Sequence, residues 1–599
     1  MKLKKWPVIG CFCLFFVLRT LAAQASTVIL PSYQPVRSEI SVLIEQEMAR
    51  TGTVGISIAV VDDQKVVWAE GFGWADKKNR IPAGPETIYQ LASVTKLFTA
   101  AAAMKLAEEE KLDIDRPLQD YLPDFSLKTR FSDAKPVTAR NIMTHHSGIP
   151  SDYFGLDPDR PFSQITAALK DQYACFPPGV VYAYSNPAFI VLGDALARAA
   201  GRPYQQYIRE NLLDPLGMKH SFFETETGRV IPFAKSYKDG VEQKLLPTVA
   251  LLPAAGLYSS ALDLTRFVRM ILAGGSAGQG QVFRPETLAE MLRAQNEAVA
   301  LDGSFRVGLG WMLSDSSVRY AGRTAGHDGH FNHYATNLTL LPDAKVGVIV
   351  LANSSDADRL VTTLSDEALK ALLAVKKGIK PPPEKPRTGP AKIEAAKQAL
   401  ADLSGYYGTH LGVIAVSPGN NKLIARTPDF KVELIPREQG LFSLQYALLG
   451  LFVLQPKSLG NVYFSFADID GHRVVKVSDD TGTFVIGEKA PAPVLPDDWK
   501  TMTGTYALAG PESGFDLLPR TIVCRIDGGR IIIEMKNPRK EYPDIKTWGF
   551  IVHPLSATEG VVVGLGRWKG DTVRRDIVDG TPHYYYAGLD YKKVSDATR

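Results

Sequence analysis

The chain has 599 residues, 45% of them hydrophobic and 22% charged. That is enough apolar material for several packed domains, and it excludes wholesale disorder and fibrous repeats. The formal net charge is +4, and Lys2, Lys4, Lys5 and Arg19 supply four positive charges in an opening stretch without an acid. The remainder is formally neutral, which excludes nucleic-acid binding through a net basic surface.

In chain order, Lys2, Lys4 and Lys5 precede an apolar run from Trp6 to Leu18, and Ala23-Gln24-Ala25 precedes Ser26. This is the pattern of a cleavable export signal over residues 1–25. The run is short for a bilayer span. Val8-Ile9-Gly10-Cys11 offers lipid anchoring at Cys11 as a minor alternative, weakened by the short apolar stretch before it. The sequence thus predicts a periplasmic or secreted protein with no membrane span after cleavage. Cys11 and Cys13 leave with the leader, and Cys175 and Cys524, 349 positions apart, read as buried thiols. No Cys/His cluster has zinc spacing, so neither a metal nor a cofactor is expected.

Residues 27–377 mix helix and strand signals. Gly55 to Val61 and Lys65 to Phe72 predict a hairpin around Asp62-Asp63-Gln64. A long amphipathic helix is expected after Ser93, through Leu97, Ala100, Ala101, Met104 and Leu106 to Glu108. Leu245 to Leu262 lacks charge, but Pro247, Pro253 and Gly256 make it interior loop and strand. Tyr334 to Leu341 and Lys345 to Leu351 flank Pro342-Asp343-Ala344 as a second hairpin. Strands at both ends imply one sheet built from both termini, with helices packed on it. Proline-rich linkers at 378–397 and 488–496 set off 398–487 and 497–599, both strand-like. Each of these opens on a weak repeat, Leu403-Ser404-Gly405-Tyr406-Tyr407 and Met502-Thr503-Gly504-Thr505-Tyr506. The expected fold class is α+β, with two small antiparallel β-barrels or β-sandwiches after the first domain. One continuous β domain is the alternative.

Three short motifs bear chemistry. In Ser93-Val94-Thr95-Lys96, positions i and i+3 share a helix face, so the amine can meet the hydroxyl. Serine needs such an adjacent base, and lysine serves only if its pKa is depressed. Ser132-Asp133-Ala134-Lys135 has the same spacing, but it precedes Pro136 in a polar stretch that disfavours helix. Tyr184-Ser185-Asn186 is the single Tyr-x-Asn of the chain: tyrosine can relay protons, and asparagine can hydrogen-bond a substrate amide. His327-Asp328-Gly329 leads into the second hairpin, where glycine permits close approach to a strand edge. His146-Ser147-Gly148 and His410-Leu411-Gly412 are decoys for it by order or position. Gly274-Gly275-Ser276-Ala277-Gly278 matches a nucleophile elbow in letters but follows a helix, so it reads as a helix stop.

Taken as an ordered set, residues 40 to 355 resemble the serine beta-lactamase and penicillin-binding protein superfamily, close to its class C, esterase and D-aminopeptidase branch. The gaps from Ser93 to Tyr184 and from Tyr184 to His327 are 91 and 143 residues. Leu91-Ala92, Leu112-Asp113, Tyr121-Leu122-Pro123, Thr144 to Pro150 and Ala255 to Ser259 also match. The resemblance implies a beta-lactamase-like α/β sandwich. Ser93 would be the acylated nucleophile, with Lys96 and Tyr184 sharing its activation and either as the base. Asn186 would hold the substrate amide, His327 would stand where the family has lysine, and backbone N–H groups of Ser93 and His330, beside Gly329, would form the oxyanion hole. His327 disfavours carboxylate-anchored substrates, and bulky His330 threatens to narrow the cleft. His145 and His146 read as structural, and Asp328 and His333 answer to no family requirement. The implied three-domain plan is that of D-aminopeptidases, in which a barrel loop such as Pro511-Glu512-Ser513-Gly514 would shape the site. The expected activity is exported hydrolysis of amides or esters, on small peptides with D-residues or esters, peptidoglycan-derived fragments among them. Alternatives are an esterase or weak penicillin-binding enzyme and, from another class, an inactive cell-wall scaffold. The oligomeric state stays open.

Overall fold

Both hairpins of the first piece belong to one sheet. The computed structural model describes residues 27–596 except 156, 158, 224–232, 279, 314–316, 384–388, 449–451, 455–460, 510–519 and 537–545. The expected leader with Cys11, and the 511–514 loop, lie outside the described residues. The main elements of the first domain are α1 (Gln34–Thr51), β1 (Gly55–Asp62), β2 (Lys65–Asp76), α2 (Thr95–Glu108), α3 (Asn186–Ala200), β3 (Ala325–Phe331), β4 (Tyr334–Leu341), β5 (Val346–Ala352) and α4 (Asp358–Lys377). The strands order as β2-β1-β5-β4-β3, all antiparallel. Pairing of Val346 with Asp62 and of Ala352 with Ile56 joins the two chain ends. Lys345, expected in the last strand, instead closes its turn at φ 52.

Successive side chains of a strand point to opposite faces, and both faces here are covered. Ile56, Ile58 and Val60 with Val346, Val348 and Val350 pack against Val36, Ile40 and Ile44 of α1 and Leu360, Leu364 and Leu372 of α4. Ala59, Val61, Ile349 and Leu351 pack with Leu97, Phe98, Phe267 and Val268 on the other side. The absence of polar alternation in β1 and β5 follows from this double burial.

Two closed eight-stranded antiparallel barrels follow, which excludes one continuous β domain. The first runs from Gly405–Thr409 to Gly482–Lys489, closed by Tyr407 opposite Lys489. The last runs from Gly504–Leu508 to Leu589–Ser595, closed between those strands. The repeat has a physical basis. Tyr407 Oη donates to Leu403 O at 2.8 Å and Tyr506 Oη donates to Met502 O at 2.7 Å, the same step of four residues. Gly405 and Gly504, at φ 142 and 146, permit the bend between them. Cys175 and Cys524 are free and buried.

Candidate active site

Ser93 sits in a 3-10 turn, Ala92–Val94, that feeds α2. Ala92 takes φ 47, a left-handed value that a residue with a Cβ adopts at an energetic cost. The helix is present as expected, but it is not amphipathic. Thr95 through Met104, and Leu106, are buried, because sheet, α3 and the segment at 252–255 surround it. Lys96 is therefore fully buried.

The Lys96 amine meets three groups. Its Nζ lies 3.1 Å from Ser93 Oγ, 2.8 Å from Asn186 Oδ1 and 2.9 Å from Ala254 O. Burial, and after it the Arg567 guanidinium, hold its pKa far below the usual lysine value, against Asp152 and Asp328. A neutral amine has two N–H groups and one lone pair. Asn186 and Ala254 offer only acceptors and take the two N–H groups. The lone pair is left facing the Ser93 hydroxyl.

Tyr184 hydrogen-bonds Ser93, and burial pushes its phenol above its ordinary value despite that bond. Its ring stacks on His145, 4.2 Å between centroids, and Lys96 Nζ stands 5.0 Å from its face. His145 accepts from Ser185 N at 3.2 Å, and burial keeps its imidazole neutral. His145 thus seats Tyr184. His146 is structural, held by Thr144 O and Asp302 Oδ2, each at 2.8 Å.

His327 is buried within reach of the same pocket, its ring centroid 6.2 Å from that of Tyr184. Nδ1 donates to Asp328 O at 2.6 Å, whereas Nε2 has no hydrogen-bond partner among the described residues. Burial lowers its pKa to about 4. At neutral pH this position presents a lone pair, not a cation. Beside it, a Cβ on Gly329 would stand 2.3 Å from Leu91 O and 2.9 Å from Ser93 N, so only glycine lets β3 run this close to the nucleophile. His330 lies opposite Ala335, whose side chain faces α4, and its ring stands 3.3 Å from Asp328 and 3.6 Å from Asp358. The ring therefore points away from the cleft, and the narrowing expected from it does not occur.

Asn186 opens α3, capped by Ser185 Oγ, which accepts from Ala188 N at 3.0 Å. Its amide is engaged at both ends. Oδ1 faces Lys96, and Nδ2 donates to Asp152 Oδ1 at 2.7 Å. Asp152 in turn accepts from Arg567 at 3.0 Å and from Trp568 Nε1 at 2.6 Å, both from the last barrel. The Asn186 amide thus bridges Lys96 and Asp152.

The family model described as "Beta-lactamase" matches residues 40–372, more than half of the chain. The chain belongs to the beta-lactamase family. It is 24% identical over 335 residues to "Protein flp" of Staphylococcus aureus (strain MW2), covering 53% of this chain and 63% of that protein. It thus spans less than two thirds of the flp proteins' length. It is 26% identical over 322 residues to the "D-alanyl-D-alanine-carboxypeptidase/endopeptidase AmpH" of Escherichia coli (strain K12), covering 52% of this chain and 82% of that one. Among solved structures it resembles the octameric penicillin-binding protein homologue from Pyrococcus abyssi at 26% identity and TM-score 0.51, over 75% of this chain and 99% of that chain.

In this beta-lactamase-family chain, Ser93, Lys96, Tyr184 and Asn186 lie together, with His327 across the pocket and Gly329 against Ser93. Sequence reasoning missed Asp152, Arg567 and Trp568. The one signal for the last two is a loop bracketed by Gly564, Gly566 and Gly570 around a cation and an indole.

Proposed function

We propose that the protein is an exported serine hydrolase that cleaves amide or ester bonds through an acyl-enzyme, acting on small peptides with D-residues or on esters. The observation that carries this reading is the buried Lys96 amine 3.1 Å from Ser93 Oγ, its pKa held far below the usual lysine value by burial, so that its neutral form turns a lone pair to that hydroxyl. Lys96 takes the hydroxyl proton as Oγ attacks the substrate carbonyl carbon. The N–H groups of Ser93 and His330 stabilise the resulting oxyanion, each donor worth about 2.7–4 kcal/mol of barrier. Tyr184, a phenol rather than a phenolate at neutral pH, gives its proton to the departing amine or alkoxide as that bond breaks. It is reprotonated from Lys96. Water then repeats the sequence on the ester and regenerates Ser93. Neutral His327 offers no charge to a substrate carboxylate, which favours substrates recognised otherwise.

A second reading is a carboxypeptidase or endopeptidase like AmpH, favoured by Arg567, whose guanidinium stands 4.9 Å from the Tyr184 ring. A panel of D-alanine p-nitroanilide, p-nitrophenyl butyrate, nitrocefin and a D-Ala-D-Ala peptide separates the two. Turnover of the first pair, abolished in Ser93→Ala, is expected. Turnover confined to the last pair would replace the first reading with the second. Absence of Ser93-dependent labelling by a fluorophosphonate would leave a scaffold.

A further inference from the structure

The loop between the strands Glu559–Val562 and Thr572–Val578 of the last barrel reaches the catalytic domain at Ser151 and Asp152. Three observations set it apart from an ordinary interdomain contact. Asp152 is a buried carboxylate, 3% exposed, that joins the barrel to the Asn186 amide: Asn186 donates to one oxygen, Arg567 and Trp568 to the other. Arg567 is clamped between the Tyr184 ring at 4.9 Å and the Trp568 indole at 4.3 Å, and its Nε finds no hydrogen-bond partner among the described residues. Trp568 holds φ 60, a rare conformation for a large side chain, while its N–H donates to Ser151 Oγ at 2.8 Å. Strain of that kind persists where the surroundings over-determine it and clusters at functional sites.

The chain of bonds also has a direction. Asp152 is acceptor-only, so it fixes Asn186 with its NH2 outward and Oδ1 toward Lys96. With the amide reversed, NH2 would oppose the N–H groups of Lys96 and the lone pair would lose its aim. Arg567 pairs with the Asp152 carboxylate at 3.0 Å, and a buried charge without such a partner is strongly disfavoured.

We propose that Arg567 and Trp568 are positioning residues of the active site: the last barrel locks Asp152, which sets the Asn186 amide and thereby aims Lys96 at Ser93. The catalytic domain is completed by a domain more than 400 residues further along the chain. The proposal rests on the serine-hydrolase reading, and its test uses a probe too small to need a substrate subsite.

That test is the second-order rate of Ser93 phosphonylation by a fluorophosphonate, followed from pH 5 to 9 in the full chain. Melting curves confirm folding of each variant. Arg567→Met is expected to slow labelling about 10- to 100-fold. It is also expected to move the acid limb of the profile to higher pH by about one unit, because a cation near Lys96 is lost while Asp152, Asp328 and its neighbours Tyr184, His145 and His327 remain. Asp152→Asn should slow labelling too but move that limb to lower pH, since an anion is lost. Arg567→Lys, which keeps charge without the fork, should fall between Arg567→Met and wild type. The double variant Asp152→Asn with Arg567→Met should be no slower than the slower single one, because both act through one network. Wild-type rate and profile in a folded Arg567→Met protein, or shifts of the same sign in the two single variants, would overturn the proposal and leave the hydrolase reading standing. Absence of Ser93-dependent labelling in the wild type would overturn both.

Discussion

The barrel over residues 405–489 and the barrel over residues 504–595 start alike, with a short helix, a glycine at φ 142 or 146, and a tyrosine bonded to the carbonyl four residues before it. Both close as eight antiparallel strands. They meet the catalytic domain differently. The first touches it through an edge turn: Ser304 N donates to Thr483 O at 2.7 Å, and Thr483 N to Ser304 Oγ at 2.9 Å. The last sends Arg567 and Trp568 to Asp152, and seats Gly570 on Cys175. The first barrel also backs that same loop, with Gly408 against Val563 and Gly564, and with Leu565 in a cluster shared by Val474, Cys175 and Leu301. One fold thus contributes a brace in one copy and a piece of the site in the other. The contact with Asp152 comes from a single inter-strand loop, consistent with function residing in sites grafted on folds.

If this contrast is right, damage to the loop should cost far more activity than damage to its backing. The largest effect is expected from Gly570→Ala. Its φ is +73, and a Cβ would stand 2.5 Å from Cys175 O, a backbone atom with little room to yield. The loop would lift from Asp152, and kcat/KM in a p-nitroanilide or ester assay should fall about 100-fold. A smaller effect is expected from Gly408→Ala on the first barrel, whose Cβ would stand 2.3 Å from Val563 O at the root of the same loop. Displacement at the root reaches Arg567 diluted by four residues, so a loss of about tenfold or less is expected. A Gly408 variant as impaired as the Gly570 variant would break the contrast, since both barrels would then hold the site equally.

The fold was legible where local pattern and burial agree. The two hairpins read from β-branched runs around polar turns, and the barrels from short strands between Gly, Asp and Asn. The repeat at Leu403 and Met502 read as weak because only its tyrosine and glycine do a shared job. Ser93, Lys96, Tyr184 and His327 were legible because their chemistry needs fixed local spacing or a strand edge. The periodicity of α2 misled, since a helix buried on every side carries no polar face to set its pattern. His330 was misjudged because its direction follows from β3 alternation, which places Gly329 toward Ser93 and His330 toward α4. Asp152, Arg567 and Trp568 carried no motif: their meeting depends on how a distant barrel docks, and that is written in surface shape rather than in spacing.

The smallest effect on catalysis, and the one that most sharpens the contrast, concerns Lys569. It lies in the site-bearing loop, 1% exposed, with no hydrogen-bond partner for Nζ among the described residues and the Phe550 ring at 4.8 Å. Burial lowers its pKa to about 7, with Asp571 opposing, and the Asp571 carboxyl is itself raised by burial to about 6. Unfolding returns the lysine to about 10.4, so between these values the unfolded chain binds a proton that the folded chain lacks. Folding stability should therefore rise with pH from about 7 toward 10, and this favourable contribution should be lost as pH falls through 7. Asp571 titrates lower, its contribution lost as pH rises from about 4 to about 6, and so leaves the upper window undisturbed. Lys569→Met keeps the stem's packing and removes the titration. It should stabilise the protein at pH 7 by roughly 1–4 kcal/mol in urea unfolding, with a smaller gain at pH 9. A gain that does not shrink with pH would show that the amine is charged in the fold, and the loop of the last barrel would then not carry the buried cost that distinguishes it from the first.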